Sequence, residues 1–219
     1  MNALAQHTAR IFDSVSRMEC IRDFVLVGGT ALSLQIGNRQ SEDLDFMRWR
    51  TGKNETMEVE WAQIKKELER IAPIEHMDLL DIDHVEFILD GVKLSFYASP
   101  KYSPVTQPVH IQHNLYAADL TAIGAMKMEV LLRRSTFRDY YDIYSLLQHG
   151  VSFDAMMQLA LSYSGHMLHT KSLLMMLTNG DRFRKDSRFA QLQPAYDVSP
   201  ADIEQYIKSI LNIQDENIN

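Results

Sequence analysis

The feature that most constrains this chain is an apolar run that stops at two glycines and continues as a helical pattern. "FVLV" at 24–27 has the composition of a short buried strand, which Gly28 and Gly29 interrupt. "TALSLQI" at 30–36 suits a short helix, which Gly37 can end in a left-handed conformation. A strand that runs through glycines into a helix exposes backbone N–H groups at the positive end of the helix dipole. This geometry can accept a phosphate, although a glycine pair by itself more often marks a tight turn.

Two aspartates follow in "DLDFM" at 43–47, which alternates like a strand with one polar face. Residues i and i+2 of a strand point to the same face about 7 Å apart. The carboxylates of Asp43 and Asp45 would therefore repel each other unless a divalent cation lay between them. Oxygen ligands suit Mg²⁺, which takes further ligands from water and nucleotide phosphates. An isolated Asp-x-Asp is usually a solvated strand edge, but a preceding phosphate-binding turn favours a nucleotide–metal site.

Composition limits the class of protein. The chain has 219 residues, 46% apolar and 23% charged, which is typical of a soluble globular protein. No apolar run reaches membrane length, no signal-peptide pattern is seen, and the single cysteine excludes an intrachain disulfide. We therefore expect a cytoplasmic protein without a membrane partner. The net charge of −7 is concentrated in residues 54–90, which carry eleven acidic and three basic residues. A polyanionic partner elsewhere on the surface is therefore not excluded.

The patterns predict a mixed α/β first half and a helical second half, with the seam near residue 115. In the first half we expect helices at 3–20 and 57–71, a strand near His110, and two strands around the Asp90-Gly91 turn. In the second half we expect five helices, at 118–134, 137–148, 152–163, 167–177 and 200–211.

Two segments together point to a family. "GGTALSLQIGNRQSEDLDF" and "DLTAIGAMKMEVLLRRSTFRDYYDIYSLL" resemble motifs of the AbiEii/AbiGii-type nucleotidyltransferases, which are toxins of type IV toxin–antitoxin and abortive-infection systems. The resemblance covers roughly residues 22–148. It implies the α/β (α+β) fold of the polymerase β-like superfamily, a mixed sheet with flanking helices. Residues 1–115 would form the nucleotidyltransferase core, and residues 116–219 would form a helical region that completes the active site.

The resemblance also implies roles for particular residues. It assigns nucleotide binding to Gly28, Gly29, Thr30, Arg39 and Lys127. It assigns metal binding and catalysis to Asp43 and Asp45, with Lys127 and Asp139 as further catalytic residues. Lys127 and Arg134 share one helix face, as do Asp139 and Asp142. An alternative is purely structural, with Arg134 or Arg138 tying two helices together through Asp142.

The chain departs from the family pattern at two places. The family usually carries a histidine before the arginine that follows the short helix, where this chain has Asn38. Many polymerase β-like enzymes also have a third metal-binding carboxylate on a later strand, but "GVKLSFYAS" contains no acid. Glu86 in the preceding strand is the nearest candidate.

We therefore expect a nucleotidyltransferase that uses Mg²⁺ or Mn²⁺ to move a nucleoside monophosphate from an NTP to an acceptor. By family analogy the acceptor could be a tRNA 3′ end, and a protein side chain is a second possibility; a cognate antitoxin is a further expected partner. Basic residues interleaved with Phe183 and Phe189 could grip RNA and stack a base, or could form an ordinary charged loop. Alternative functions are an aminoglycoside-like small-molecule nucleotidyltransferase, a non-catalytic nucleotide-binding module and a structural partner protein.

Overall fold

The computed structural model describes residues 3–185 and 187–216, and the chain divides into two compact units, Met1–Asp119 and Leu120–Asn219. The first unit contains three helices, α1 (Gln6–Ser16), α2 (Gly28–Ile36) and α3 (Trp61–Leu68). Its strands are β1 (Val25–Val27), β2 (Leu44–Arg50), β3 (Ile74–Asp81), β4 (His84–Leu89), β5 (Val92–Tyr102), β6 (Val109–Gln112) and β7 (Leu115–Ala117). The second unit contains α4 (Leu120–Val130), α5 (Phe137–Gln148), α6 (Phe153–Tyr163), α7 (Thr170–Leu177) and α8 (Pro200–Glu216).

The seven strands form one mixed sheet in the order β3-β4-β5-β2-β1-β7-β6. β2 runs parallel to β5 and antiparallel to β1, while β1 runs parallel to β7. The mixed α/β architecture expected from the sequence is therefore confirmed.

Alternation along the central strands separates an apolar face from a polar face. Phe46 of β2 and Phe96 of β5 are paired in register and stack with their ring centroids 4.9 Å apart. Phe24 and Phe87 pack edge-on against Phe96, which completes an aromatic core. Because successive strand residues point to opposite faces, Asp45 lies on the other side of the sheet from Phe46. The core on one face thus holds the acidic residues on the other.

Most predicted elements of the first unit are present, with several corrections. The helix predicted at 3–20 spans only Gln6–Ser16, and the short strand Leu115–Ala117 was not predicted. The Asp90-Gly91 turn joins β4 to β5, and both residues have the positive φ that such a hairpin turn requires. The helix predicted at 57–71 is wrong at its ends, since α3 spans only Trp61–Leu68. The strand Ile74–Asp81 was not predicted, because its side chains are mostly exposed and lack the apolar alternation that signals a strand.

All five helices predicted for the second unit are present; α5 has the predicted ends, and the other four differ at one or both ends. Tyr140 and Tyr141 of α5 are fully buried, and the Tyr140 hydroxyl donates to the Leu177 carbonyl at 2.6 Å. α4 packs against α6 at Gly124. Among the residues that the structure describes, no helix combines the length and apolarity needed to span a bilayer.

Replacing Gly124 by alanine tests how closely α4 and α6 pack. The added Cβ would lie 2.8 Å from Met156 Cγ and 3.2 Å from Leu146 Cδ1, so buried side chains must shift. We expect a net loss of about 1–2 kcal/mol in the free energy of unfolding, since overpacking outweighs the helix-propensity gain of alanine. Urea unfolding followed by circular dichroism measures it.

Gly52→Ala is the matched control, because a Cβ at Gly52 would meet nothing within 4 Å. Its unfolding free energy should change by less than about 0.5 kcal/mol. Equal stability of the two variants would contradict the close helix contact.

Candidate functional site

The strand-to-helix junction places backbone donors at one point of the first unit. β1 ends at Val27 and α2 begins at Gly28 without an intervening loop. The N–H groups of Gly28, Gly29 and Thr30 belong to the first turn of α2, which has no intrahelical acceptors for them. The positive end of the helix dipole lies at the same place. This junction has the geometry of an anion site, as the sequence predicts.

The strand register brings Asp45 to this junction. Asp45 of β2 is paired with Val27, the last residue of β1. A Cβ added to Gly28 would lie 2.9 Å from Asp45 Oδ2, and Gly28 also has a φ of +71°. Glycine is therefore required here both by the backbone conformation and by the neighbouring carboxylate. Sequence spacing predicted that the glycines and the aspartates act together, and the structure brings Gly28 and Asp45 into contact range.

Thr30 holds the chain around Asp43. Its buried hydroxyl donates to the Asp43 backbone carbonyl and lies 2.8 Å from Ser41 Oγ. Asp43 itself is half-buried and immediately precedes β2. The Thr30 side chain thus positions the aspartate segment. The predicted nucleotide contact of Thr30 stays a prediction.

Arg39 covers the second glycine. Its guanidinium is buried, and Nη1 donates to the Gln40 carbonyl at 2.9 Å. A Cβ on Gly29 would overlap Arg39 Nη2, so glycine permits the guanidinium to lie against the start of α2. Asn38 is also buried and accepts a hydrogen bond from the Ser33 hydroxyl at 3.3 Å. Asn38 therefore has a structural partner, while Arg39 adds positive charge beside the N–H groups at the start of α2.

The neighbouring strands bring further polar groups to the face that carries Asp45. Asp45 is paired with Ser95 of β5, and Ser95 is paired with Glu86 of β4. Lys93 lies two residues before Ser95, and its Nζ is 3.3 Å from Glu86 Oε1. Burial lowers the pKa of Lys93, but the negative charges of Asp45, Glu86 and Asp43 outweigh it and raise the pKa. Lys93 was not predicted as a site residue, although it lies in the strand that lacks a third carboxylate.

The donor set fits a hard divalent cation. Asp43 and Asp45 provide carboxylate oxygens next to a phosphate-type anion site, and Mg²⁺ or Mn²⁺ completes such a shell with water and phosphate oxygens. Within residues 3–185 and 187–216, no group of three or more His, Cys, Asp and Glu side chains is arranged to hold a metal ion. Protein ligation at this point would thus rest on two carboxylates.

The second unit contains a buried ionic cluster that joins α4 to α5. Lys127 Nζ lies 2.8 Å from Asp139 Oδ1 and 2.8 Å from Asp142 Oδ2. Arg134 donates to both carboxylate oxygens of Asp139, at 2.7 Å from Nε and 3.0 Å from Nη2. The hydroxyl of Thr136, just before α5, also donates to Asp139. The cluster brings together the predicted residues Lys127 and Asp139.

This arrangement bears on the roles predicted from the sequence. Burial raises the pKa of Asp139, but the Lys127 and Arg134 charges and their hydrogen bonds outweigh it and hold the pKa well below its ordinary range. A carboxylate of this kind is a weak proton acceptor, which favours a positioning role for Asp139 over general-base catalysis. Arg134 pairs with Asp139, and Lys127 pairs with Asp142. The phosphate contact expected of Lys127 stays a prediction.

Comparison with known proteins identifies the family. Residues 10–215 match the family model of the nucleotidyl transferase AbiEii toxin of type IV toxin–antitoxin systems. The chain belongs to the AbiEii family. This confirms the resemblance predicted from the two motifs and makes the protein a nucleotidyltransferase toxin of the type IV class.

Individual proteins resemble this AbiEii-family chain in sequence or in fold. An uncharacterized protein of Aquifex aeolicus (strain VF5), aq_aa25, is 26% identical over 152 residues, which cover 68% of this chain and 70% of the relative. The crystal structure of JHP933 from Helicobacter pylori is 20% identical, with a TM-score of 0.53 and coverage of 99% of this chain and 98% of the other. The MenT4 nucleotidyltransferase toxin of Mycobacterium tuberculosis H37Rv is 13% identical, with a TM-score of 0.58 and coverage of 93% and 82%. The two structures show the shared fold.

The basic segment of this AbiEii-family chain contains Arg182, Arg184, Lys185 and Arg188. The two phenylalanines among them are not available for base stacking. Phe183 is buried and stacks on Tyr140 with ring centroids 4.1 Å apart. Phe189 is also buried and packs edge-on against Phe137 at 4.8 Å. The hypothesis that these phenylalanines stack a nucleotide base is therefore wrong, because they are core residues of the helical unit.

Gly28→Ala tests the contact between the glycine junction and Asp45. The methyl group would displace Asp45 Oδ2, so we expect nucleotide affinity to fall by at least about 10-fold, which corresponds to about 1.4 kcal/mol. Isothermal titration calorimetry with each magnesium–NTP complex measures the affinity.

Gly91→Ala is the matched control, since Gly91 has a φ of +72° and a Cβ there would meet nothing within 4 Å. Both variants should lose about 1–2 kcal/mol of stability to backbone strain. Unchanged nucleotide affinity in Gly28→Ala would contradict the proposed role of the junction.

Asp139→Asn tests the ionic cluster through its pH dependence. At pH 7 we expect the free energy of unfolding to fall by about 2–4 kcal/mol, because the buried Lys127 ammonium loses a charged partner and Arg134 loses its ion pair. A lowered pKa stabilises the fold above the ordinary aspartate value of 3.8, and this stabilisation is lost as the pH falls below that value. The difference between wild type and variant should therefore shrink at pH 3 in urea unfolding.

Asp197→Asn provides the control for this experiment, because the Asp197 side chain is fully exposed. It should match the wild type at both pH values. A difference between wild type and Asp139→Asn that stayed constant from pH 7 to pH 3 would show that the carboxylate charge is not what stabilises the cluster.

Proposed function

We propose that this protein transfers a nucleoside monophosphate from an NTP to the 3′-terminal hydroxyl of an RNA, with tRNA as the preferred acceptor. The acceptor oxygen forms a bond to the α-phosphorus, and the bond from the α-phosphorus to the bridging oxygen breaks. Pyrophosphate leaves with that oxygen, and the hydroxyl proton passes to solvent. The family supports nucleotidyl transfer and the toxin role, while the RNA acceptor is our inference.

The observation that carries the proposal is how close Asp45 lies to Gly28: a Cβ on Gly28 would be 2.9 Å from Asp45 Oδ2. An acidic side chain beside the N-terminus of α2 places a cation ligand next to a phosphate site, and one NTP–metal complex satisfies both. A nucleotide bound through its phosphates would explain why Gly28 tolerates no side chain. It would also explain the spacing between the glycine pair and the aspartates.

Each residue of the first unit has a distinct task in this proposal. The N–H groups of Gly28 and Gly29 bind phosphate oxygens, and the buried Arg39 adds positive charge beside them. Asp43 and Asp45 would hold Mg²⁺ or Mn²⁺, which supplies Lewis-acid activation of the α-phosphate and the acceptor hydroxyl. The fixed donors also stabilise the charge that develops on the leaving pyrophosphate. Roles for Lys127 and Asp139 in the reaction remain predictions.

A small cationic acceptor such as an aminoglycoside is less well supported. The first unit does contain an acidic cavity of about 440 Å³, lined by residues that include Glu19, Glu55, Glu58 and Trp49. Trp49, however, is four residues along β2 from Asp45, which separates the two by about 13 Å. The acidic cavity thus lies further along β2 than Asp45, the proposed metal ligand on that strand. A cognate antitoxin is a further proposed partner, because type IV toxins occur with one.

Labelling experiments test the reaction directly. The protein is incubated with Mg²⁺, total tRNA and each α-³²P-labelled NTP in turn. We expect label on RNA with wild type and at least about 10³-fold less with Asp43→Asn or Asp45→Asn, since each substitution removes a charged metal ligand from the site. Asp197→Asn, which changes an exposed carboxylate, serves as the control and should retain activity.

The alternative outcomes separate the parts of the proposal. Full activity in both aspartate variants would overturn the metal site. Label on the protein, lost in the same variants, would replace the RNA acceptor by a protein side chain. Circular dichroism must show that the variants remain folded.

A further inference from the structure

The strand beside β2 carries a lysine and no acidic residue. β5 pairs with β2 in parallel register, with Leu44 opposite Leu94 and Asp45 opposite Ser95. Lys93 immediately precedes Leu94, just as Asp43 immediately precedes Leu44. Because residues i and i+2 of a strand share a face, Lys93 and Ser95 lie on the face that carries Asp45. A hydroxyl and an ammonium thus occupy the strand positions next to the aspartate pair.

The charges around Lys93 come from more than one strand. Its Nζ lies 3.3 Å from Glu86 Oε1 of β4, the residue paired with Ser95. Asp45 and Asp43 act on the same ammonium from the side of β2. His84 of β4 completes the surroundings, with Nε2 at 3.1 Å from Ser95 Oγ and 3.7 Å from Glu86 Oε1. Lys93 therefore lies within the field of three carboxylates and remains charged at neutral pH.

We propose that the Lys93 ammonium is a fixed cation of the transfer site that takes the place of a second divalent ion. The inference rests on the proposed function, since it assumes that Asp43 and Asp45 bind a divalent cation. Asp43, Asp45 and Glu86 carry three negative charges, of which Lys93 offsets one. Two negative charges of these side chains remain, and one divalent cation neutralises them. The site then binds a single divalent ion in the absence of nucleotide.

A fixed ammonium has a chemical consequence when the nucleotide binds. The triphosphate brings negative charge, and the Lys93 side chain offsets part of it without having to be recruited from solution. Ser95 cannot replace the missing acid, because a neutral hydroxyl is a weak ligand for a hard divalent ion. Ser95 and Lys93 thus place a neutral hydroxyl and a cation, and no acid, on this face of β5.

Manganese binding without nucleotide tests this inference apart from catalysis. Mn²⁺ is titrated into wild type, Lys93→Gln, Asp43→Asn and Lys66→Gln, and free Mn²⁺ is measured by electron paramagnetic resonance. We expect wild type to bind one ion, and Asp43→Asn to lose it. Lys93→Gln removes a repelling charge and should bind Mn²⁺ about 10-fold more tightly. Lys66→Gln is the matched control on the exposed face of α3 and should equal wild type.

Whether Lys93→Gln binds Mn²⁺ more tightly or more weakly than wild type decides whether the inference holds. Weaker Mn²⁺ binding in Lys93→Gln would mean that the lysine only braces the carboxylates, and unchanged binding would mean that it does not act on the site; either overturns the inference. Two ions in wild type, both lost in Asp43→Asn, would also overturn it while leaving the proposed metal site intact. Wild-type binding that is unaffected by Asp43→Asn would instead remove the metal site itself, and this inference with it.

Discussion

The geometry of the first unit depends on the absence of a side chain at Gly28. β1 passes into α2 without a loop, so the positive end of the helix lies at the end of a strand. The register of β2 then places Asp45 beside that end. Two nearby carboxylates repel each other, but the helix dipole and the buried Arg39 offset part of this repulsion. The fold thus prepares an acidic pair and an anion site side by side.

In the helical unit, the electrostatic interactions are those of buried charged side chains that pair with one another. Burying Lys127, Asp139 and Asp142 costs solvation energy, which their mutual pairing must offset. Since Asp139 also accepts from Arg134 and Thr136, both of its oxygens have fixed donors. Such a network specifies how α4 and α5 meet more tightly than apolar packing alone would. It also keeps Asp139 ionised, which suits a residue that holds cations in place.

Local signals in the sequence predicted much of this fold. The glycine junction, the left-handed end of α2 at Gly37 and the Asp90-Gly91 hairpin depend on backbone preferences within a few residues, and all three are present. β3 and β7 were missed for physical reasons. β3 lies at the edge of the sheet with most of its side chains exposed, and β7 has only three residues. Neither strand shows an alternation of apolar and polar residues that is long enough to be recognised in the sequence.

The sequence could propose members of the candidate site but not their contacts. Spacing proposed Asp45 and the family resemblance proposed Asp139, and the roles of both stay predictions. Lys93 is tied to the acidic pair only through strand register, which the alternation of apolar and polar residues does not define. The basic segment shows the converse: Phe183 alternates with cations as a base-stacking residue would, yet it fills the core against Tyr140. Charge and aromatic patterns in a sequence indicate which side chains could bind a ligand. Long-range pairing decides which of them face a ligand and which are used to build the fold.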